Sequence, residues 1–349
     1  MIPALPHDVL RTAYARILLM RRFDECVVRL HDEHAFSGHF HVYFGQEVTG
    51  AAACLAAASD DYIFTTHRNH GHLIGRGVEP GPMLAEILGR ETGTNRGVAG
   101  TFHLSSPERR ILHTSAVVGG IMPISVGMAF GLQRRGQPGV VLAIFGEGSL
   151  QEGAFHEAIQ MAALYRPPVV FLVENNDAEA QAGKKVGPYT YLKAAPVNSL
   201  GDYARIHSVP EVQVDGTDLK AVYDAVSGAL ETARRGEGPA FIESRMYRWP
   251  GQFGSWPTLV QGPFEPRYAW EPHAAPAEYR QWWLERDPVV RVTRELVESG
   301  VLSRAEVEAI AEEAGRQIDQ VERFARESSY PRPQAAEEHV FVAGGRSRG

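Results

Sequence analysis

The chain has 349 residues, and its 35 Lys and Arg against 42 Asp and Glu give a formal net charge of -7 at pH 7. This length suits one large α/β domain or two small ones. The acidic balance argues against a nucleic-acid partner, so any phosphate site must be built locally. The two cysteines, Cys26 and Cys54, fit no disulfide or metal-ligand pattern.

No segment predicts export or insertion into a membrane. The first six residues lack a basic region followed by an apolar core, which argues against a secretory signal. The longest apolar runs, 51–58 and 140–145, are too short to cross a bilayer. We therefore expect a soluble protein of the cytoplasm, with which the cysteine usage is compatible.

The first part of the chain alternates predicted helices with a short strand. Apolar residues at helical spacing predict a helix over 8–34, and an Ala-rich run predicts another at 49–58. The small-residue face of the second helix is typical either of a subunit seam or of a buried core helix. The next predicted segments are a strand at 60–64, a helix entered near 66–72, a helix at 80–90, a loop over 91–120 and a helix at 121–135.

The middle of the chain holds the most informative pattern. Two buried-strand signals, 140–145 and 169–173, flank an amphipathic helix. Gly-Glu-Gly-Ser follows the first strand, and Glu-Asn-Asn follows the second. In a parallel sheet these segments meet at the carboxyl edge, where a diphosphate can bind.

The residues at that edge predict a metal-chelated diphosphate. A carboxylate, Glu147, leaves the first strand, and two amides, Asn175 and Asn176, leave the second. All three can converge on one cation that prefers oxygen ligands, such as Mg²⁺. The neighbouring glycines let backbone N–H groups approach the phosphate closely.

The last part of the chain continues the alternation and ends in polar helices. The predicted segments are a loop (176–198), a helix (199–207), a strand (211–215), a helix capped by Thr217 and Asp218 and running to 235, a strand (239–247), an aperiodic stretch (248–275) and helices at about 288–298 and 303–327. Ser303 and Glu306 form a capping box for the last helix. Strands alternating with helices predict an α/β fold, with a mostly parallel sheet and helices on both faces.

The central unit resembles the thiamine-diphosphate motif, which runs Gly-Asp-Gly, then just under thirty residues, then Asn-Asn. Its flanks at 151–153, 157–158 and 161–164 resemble the α subunits of two-component 2-oxo acid dehydrogenases of the pyruvate and acetoin types. The resemblance implies a single thiamine-diphosphate-binding α/β domain over 1–349. It also implies an N-terminal helical arm to about 40 and a C-terminal loop and helical extension from about 248.

The resemblance assigns residues to the cofactor and its metal. Arg68, preceded by His67, corresponds to an arginine that clamps the diphosphate, and a guanidinium fork suits phosphate oxygens. The implied cofactor-binding residues are His67, Arg68, Ala116, Val118, Gly146, Gly148, Ser149 and Gln252, and the implied Mg²⁺ ligands are Glu147, Asn176 and the backbone carbonyl of Ala178. Three histidines at 67, 70 and 72 offer zinc as an alternative, although two of their spacings do not share a helix face.

Three further positions are implied to act near the substrate. His41 corresponds to a histidine near the reacting carbon, and imidazole suits proton transfer near neutral pH. His103 lies in a segment that resembles the loop lining the substrate channel. Gln252 stands where the family has a histidine that supports transfer to the lipoyl partner, and an amide cannot shuttle a proton. Ordinary loop roles remain open for His41 and His103.

One departure concerns the metal directly. Glu147 stands where the family has Asp, and Mg²⁺ tolerates little deviation from octahedral geometry at about 2.1 Å. The longer side chain must fold back or the ion must shift, so we expect retained but weakened binding. The resemblance also implies that the carboxylate which activates the cofactor comes from a separate β subunit, in an α₂β₂ assembly.

The implied chemistry leaves three hypotheses. The family's reaction cleaves a 2-oxo acid or an α-hydroxyketone, and the resulting enamine acts as an acyl-anion equivalent. A dehydrogenase passes the acyl group to lipoamide on an acyltransferase, whereas a carboligase passes it to a second carbonyl or acyl donor. The third hypothesis is a cofactor-free, α-like scaffold or regulatory subunit.

Overall fold

A computed structural model describes residues 5–176, 199–247, 249, 263–277 and 280–335. Within this part of the chain, six parallel strands form one sheet in the order β2-β1-β3-β4-β6-β5. The strands are β1 Tyr62–Thr66, β2 Ile111–Ser115, β3 Val141–Gly146, β4 Val169–Asn175, β5 Glu211–Asp215 and β6 Ala240–Arg245. The predicted α/β fold with a parallel sheet is confirmed.

The helices agree with most of the predicted segments. They are α1 His7–Asp32, α2 Glu47–Ala56, α3 His70–Gly75, α4 Pro80–Ile87, α5 Ile121–Arg135, α6 Gly153–Tyr165, α7 Asp202–Arg205, α8 Leu219–Arg234, α9 Arg280–Glu285, α10 Pro288–Glu298 and α11 Arg304–Glu327. Two predictions were wrong. The segment 91–120 is not all loop, because it contains β2, and α9 lies where no helix was predicted.

Helices cover the sheet on both faces because the strand residues alternate between two apolar layers. Along β3, Val141, Ala143 and Phe145 join the core cluster that contains α5 and α6. Leu142 and Ile144 join the larger cluster that contains α1, α2 and α8. Side chains of successive strand residues point to opposite faces, so Val141 to Phe145 are all buried, and only Gly146 at the carboxyl end is half-buried.

The Ala-rich helix α2 is a core helix within this chain. Its residues from Glu47 to Cys54 are buried, and it packs against α1, α3 and α8. Small side chains allow this close packing. Of the two interpretations of its small-residue face, the structure therefore supports the buried core helix.

The first and last long helices pack against each other. Arg29 of α1 forms an ion pair with Glu322 of α11, and Arg326 of α11 forms one with Glu33, just past the end of α1. The predicted capping box is confirmed, because Ser303 accepts the backbone N–H of Glu306 while the Glu306 carboxylate accepts that of Ser303. None of the helices in the described ranges is long and apolar enough to span a bilayer.

Candidate cofactor site

A cavity of about 160 Å³ lies at the carboxyl ends of β1 to β4. β1 pairs with β2 on one side and with β3 on the other, so the strand order reverses at this point. Ligands of open parallel sheets bind in the crevice that such a reversal creates. The lining residues are Gln46, Thr66, His67, Arg68, Ser115, Val117, Val118, Gly146, Glu147, Gly148, Ser149, Glu174 and Asn176.

Most of the predicted cofactor and metal residues lie around this one cavity. The lining set contains His67, Arg68, Val118, Gly146, Glu147, Gly148, Ser149 and Asn176. Ala116 is exposed and lies between two lining residues, Ser115 and Val117. Ala178 and Gln252 lie outside the described residues.

The register of the sheet explains why the two motifs meet. Gly146 of β3 pairs directly with Glu174 of β4, which places the Gly-Glu-Gly-Ser turn beside the Glu-Asn-Asn segment. Alternation along the strand then directs Glu174 and Asn176 into the cavity. Asn175 faces the other way and donates from Nδ2 to Glu243 Oε1 at 2.9 Å. The expected convergence of both amides was therefore wrong for Asn175.

Two buried amide atoms in the cavity wall have no partner among the described residues. Asn176 donates from Nδ2 to Gln46 Oε1 at 3.1 Å, which leaves Asn176 Oδ1 and Gln46 Nε2 unpaired. An unpaired buried acceptor or donor costs roughly 1–3 kcal/mol. A cation at Asn176 Oδ1 and a phosphate oxygen at Gln46 Nε2 would remove that cost, so both atoms fit a metal-chelated diphosphate.

The glycine turn leaves open space beside the backbone. A side chain at Gly146 would meet nothing within 4 Å, and one at Gly148 would come no closer than 3.9 Å to Val118. The packing of this chain alone therefore does not require glycine at either position, but a ligand against the backbone would. Ser149 Oγ accepts the backbone N–H of Gly119 at 3.2 Å, which ties the turn to the segment that carries Val118.

A cation and an acidic side chain face the same space. Arg68 is buried and donates from Nη1 to the carbonyl of Val42 at 2.8 Å, which holds its guanidinium at the cavity wall. Glu147 is half-buried at the carboxyl end of β3. Arg68 can therefore bind a negatively charged group in the cavity, and Glu147 can bind a metal cation next to that group.

Behind the cavity lies a buried polar network that the sequence analysis missed. The Tyr43 hydroxyl donates to Glu174 Oε1, and His72 Nε2 lies 3.0 Å from both that carboxylate oxygen and the Tyr43 hydroxyl oxygen. His72 Nδ1 lies 2.7 Å from Thr65 Oγ1. Burial and then the adjacent Glu174 raise the pKa of Tyr43 well above its usual value, so the hydroxyl stays protonated and keeps donating. The network fixes the Glu174 side chain in the cavity wall.

Aromatic contacts connect one of the predicted catalytic histidines, His41, to the cavity. His41 packs edge-on against His67, with 4.5 Å between ring centroids, and stacks on Phe102 at 5.4 Å. His103 is exposed, and its Nδ1 lies 3.1 Å from the Thr114 carbonyl oxygen. Burial and the neighbouring His103 lower the pKa of His113. His41 therefore contacts a residue that lines the cavity, and neither His41 nor His103 lines the cavity itself.

The three histidines of the zinc alternative occupy separate surroundings. His70 Nδ1 lies 2.7 Å from Asp24 Oδ1, and its Nε2 lies 2.8 Å from Thr101 Oγ1. His72 belongs to the network with Glu174, and His67 lines the cavity. Across the described ranges, no three His, Cys, Asp or Glu side chains form a group that could hold a metal.

Residues 14–334 match the family of dehydrogenase E1 components. The chain belongs to this family. It is 36% identical over 241 residues to the α subunit of acetoin:2,6-dichlorophenolindophenol oxidoreductase from Bacillus subtilis, covering 69% of this chain and 70% of the relative. It is 30% identical over 330 residues to the α subunit of the pyruvate dehydrogenase E1 component from Rhizobium meliloti, covering 95% of this chain and 88% of the relative. An acetoin relative from Cupriavidus necator is 29% identical over 345 residues, with 97% of both chains covered.

Membership in the dehydrogenase E1 family confirms three predictions. The chain is of the α-subunit type, its cofactor is thiamine diphosphate, and its partner is a β subunit. Gln46, Thr66, Ser115 and Glu174 line the cavity of this E1 component although the sequence analysis assigned them no role. Glu174 could have been found, because alternation along a strand puts it on the same side as Asn176.

Proposed function

We propose that this chain is the α subunit of an enzyme that uses thiamine diphosphate to cleave a 2-oxo acid or an α-hydroxyketone beside its carbonyl group. The acyl group then passes to an acceptor. One observation carries the proposal: a single cavity at the carboxyl ends of the strands combines Arg68, Glu147 and the unpaired Asn176 Oδ1. The relatives named for acetoin and pyruvate support these two substrate classes.

The residues around the cavity divide between the metal and the phosphates. Glu147 and Asn176 Oδ1 would hold Mg²⁺, which prefers oxygen ligands, with the Ala178 carbonyl as a third ligand. Arg68, Gln46 Nε2 and the backbone N–H groups of the glycine turn would hold the diphosphate. When bound, thiamine diphosphate supplies the electron sink for breaking the carbon–carbon bond.

One histidine side chain, His67, lines the cavity, and a second, His41, packs against it. His41 and His67 form an edge-on pair beside the cavity. Imidazole nitrogens can take up or release a proton near neutral pH, so these rings would hold a proton close to the reacting group. His103 and Gln252 are further candidates, with His103 on the exposed side of the same loop as Phe102.

The partner would cover the open side of the cavity. Val117 and Val118 line the cavity but are 69% and 49% exposed in this chain alone. Apolar side chains next to a cofactor site are typical of surfaces that a partner buries. We propose an α₂β₂ assembly in the cytoplasm, with a lipoyl group on an acyltransferase or a second carbonyl compound as the acceptor.

Calorimetric titration of thiamine diphosphate with Mg²⁺ would test the site in the chain co-purified with its β subunit. We expect wild type to bind, Glu147→Ala to lose binding, and Glu147→Asp to bind at least as tightly because the shorter carboxylate suits Mg²⁺ geometry. Glu298→Ala, at an exposed position near the end of α10, is the matched control and should bind like wild type.

Two results would contradict the proposal in different ways. If wild type does not bind and Glu147→Asp restores binding, the chain is a cofactor-free scaffold. If neither binds, the cavity has another use. Given binding, turnover of 2-oxo acids and acetoin with an artificial electron acceptor, or with an added aldehyde, separates a dehydrogenase from a carboligase.

A further inference from the structure

The carboxylate of Glu86 is buried inside a loop. Glu86 lies in the last turn of α4 and has no exposed surface. Its Oε2 accepts the backbone N–H groups of Asn95 at 2.8 Å and Gly97 at 2.7 Å. Its Oε1 accepts those of Ala99 at 2.7 Å and Gly100 at 3.3 Å. An ionised carboxylate offers about four acceptor positions, so the loop backbone uses all of them.

The position of this charge is unfavourable for the helix itself. The C-terminal end of a helix carries a partial negative charge, which disfavours a carboxylate there. Removing the carboxylate from water adds a further cost. The four N–H groups of the loop offset both costs. Glu86 therefore stabilises the loop at the expense of its own helix.

The backbone of the loop is shaped around this carboxylate. A Cβ atom at Gly93 would lie 2.3 Å from Glu86 Oε2. Gly97 has φ +78°, and Gly100 has φ +62° with ψ −165°, a region that is open essentially only to glycine. Asn95 joins the two ends of the loop, because its side chain donates to Ser105 Oγ at 2.9 Å and accepts the Ser105 N–H at 3.1 Å. We call residues 95–105 the 95–105 loop.

The far side of the 95–105 loop is fixed at Thr101. His70 Nε2 lies 2.8 Å from Thr101 Oγ1, and Asn69 donates to the Thr101 carbonyl at 3.1 Å. The next residue, Phe102, stacks on His41 with an angle of 24° between the rings. His41 in turn contacts His67, which lines the cavity. Phe102 of the 95–105 loop thus supports the ring of a predicted catalytic histidine.

We propose that Glu86 is a positioning residue of the active site. By gathering the backbone N–H groups of the 95–105 loop, it holds Phe102 against His41 and so fixes the His41 ring beside the cofactor cavity. The inference rests on the proposed function for its effect on turnover. Its structural part, the holding of the loop by Glu86, does not depend on that function.

The test compares Glu86→Gln with Glu91→Gln in the complex with the β subunit. The amide keeps one acceptor oxygen and puts an NH₂ group against two N–H donors. We expect backbone hydrogen exchange across 95–100 to accelerate by roughly 10-fold or more. We expect kcat to fall roughly 100-fold, as for a misplaced catalytic group, with an unchanged Kd for thiamine diphosphate and Mg²⁺. Glu91 is exposed in the same region, and its variant should match wild type.

The readouts separate the possible failures. Unchanged hydrogen exchange in Glu86→Gln overturns the proposal, and so does faster exchange with normal kcat. If Glu86→Gln does not fold, Phe102→Ala removes the ring without touching the buried carboxylate. Full kcat with Phe102→Ala then overturns the proposal, and a lowered kcat with unchanged cofactor Kd supports it. If wild type has no turnover, the proposed function fails while the exchange result still decides whether Glu86 holds the loop.

Discussion

Arg21 is among the largest fully buried side chains and joins three distant parts of the chain. Its Nε donates to Glu47 Oε1 at 2.6 Å, and its Nη2 donates to Asp287 Oδ2 at 2.8 Å. The guanidinium also lies over the rings of Phe44 and Trp283. Burial opposes its charge, but Asp287 and Glu47 outweigh burial and raise the pKa of Arg21. Because Glu47 follows Gln46 in the cavity wall, this cluster also fixes one edge of the cofactor site.

We predict that Arg21→Lys destabilises the fold although it keeps the charge. A single ammonium group cannot bridge both carboxylates and lie flat over the rings as the guanidinium does. The expected loss is about 3 kcal/mol in the free energy of unfolding, as for a broken buried ion pair. Arg22→Lys, at a more exposed ion pair with Glu25, should change it by about 1 kcal/mol or less. Urea unfolding measures both, and equal losses would contradict the prediction.

Single residues also mark where sequence reasoning succeeded and where it stopped. The spacing of the two motifs predicted that Glu147 and Asn176 lie together, because strand ends of a parallel sheet meet at one edge. The direction of Asn175 follows from alternation along β4 and could have been predicted. The burial of Glu86 could not have been predicted, since a carboxylate in a short helix normally faces water. Only the tertiary structure shows the loop that encloses it.

At the scale of elements, the start of α11 depends on local hydrogen bonds. Ser303 and Glu306 satisfy each other's backbone N–H groups in a capping box. We predict that Ser303→Ala lowers the free energy of unfolding by about 1 kcal/mol. Ser329→Ala, an exposed serine just beyond the same helix, should have no measurable effect. Chemical unfolding compares the two, and a null result for Ser303→Ala would mean that packing alone defines this helix start.

The link between β5 and α10 predicts a dependence on pH. Burial would raise the pKa of Asp215, but hydrogen bonds from Thr217 and the charge of Arg291 outweigh burial and lower it below the ordinary 3.8. A lowered carboxylate pKa contributes stability that is present above the unfolded-state value and is lost as the pH falls through the folded-state value. Asp215→Asn should therefore be less stable than wild type near pH 6, and the difference should narrow near pH 3, below the ordinary value of an Asp carboxyl group.

Urea midpoints at both pH values measure this difference. Asp224→Asn, at an exposed ion pair on α8, is the matched control and should track wild type more closely at each pH. A difference between Asp215→Asn and wild type that stays constant down to about pH 3 would show that the carboxyl group does not titrate as expected.

The helices and strands also differ in how far their own sequence predicts their secondary structure. Helix α5 begins and ends as predicted, and Gly136 follows it in the left-handed conformation that is typical just past a helix end. Strand β2 was missed because its five residues include His113 and Thr114 and stand in a segment rich in Gly and Ser. Its extended form comes from pairing with β1, and such tertiary pairing is not readable from a short local pattern.

At the scale of the whole molecule, the parallel sheet gathers one site from segments far apart in sequence. Residues from Gln46 to Asn176 line the cavity, and the buried Arg21 cluster connects it to α10 near the other end of the chain. The family and its α/β architecture were predictable because the motif spacing and the alternation of strands and helices extend over most of the chain. The unpaired amide atoms of the cavity could not be predicted from the sequence, because hydrogen-bond partners depend on the assembled fold.

The pairing of α1 with α11 has a consequence during synthesis. Arg29 and Glu322 are 293 residues apart in sequence. At roughly 5–20 residues per second, a ribosome needs about 15–60 s to make that stretch. For that time the apolar residues of α1 that pack against α11 are outside the exit tunnel without that helix to cover them. We expect the nascent chain to need protection from aggregation until its last helix is released, so that folding is completed only after translation.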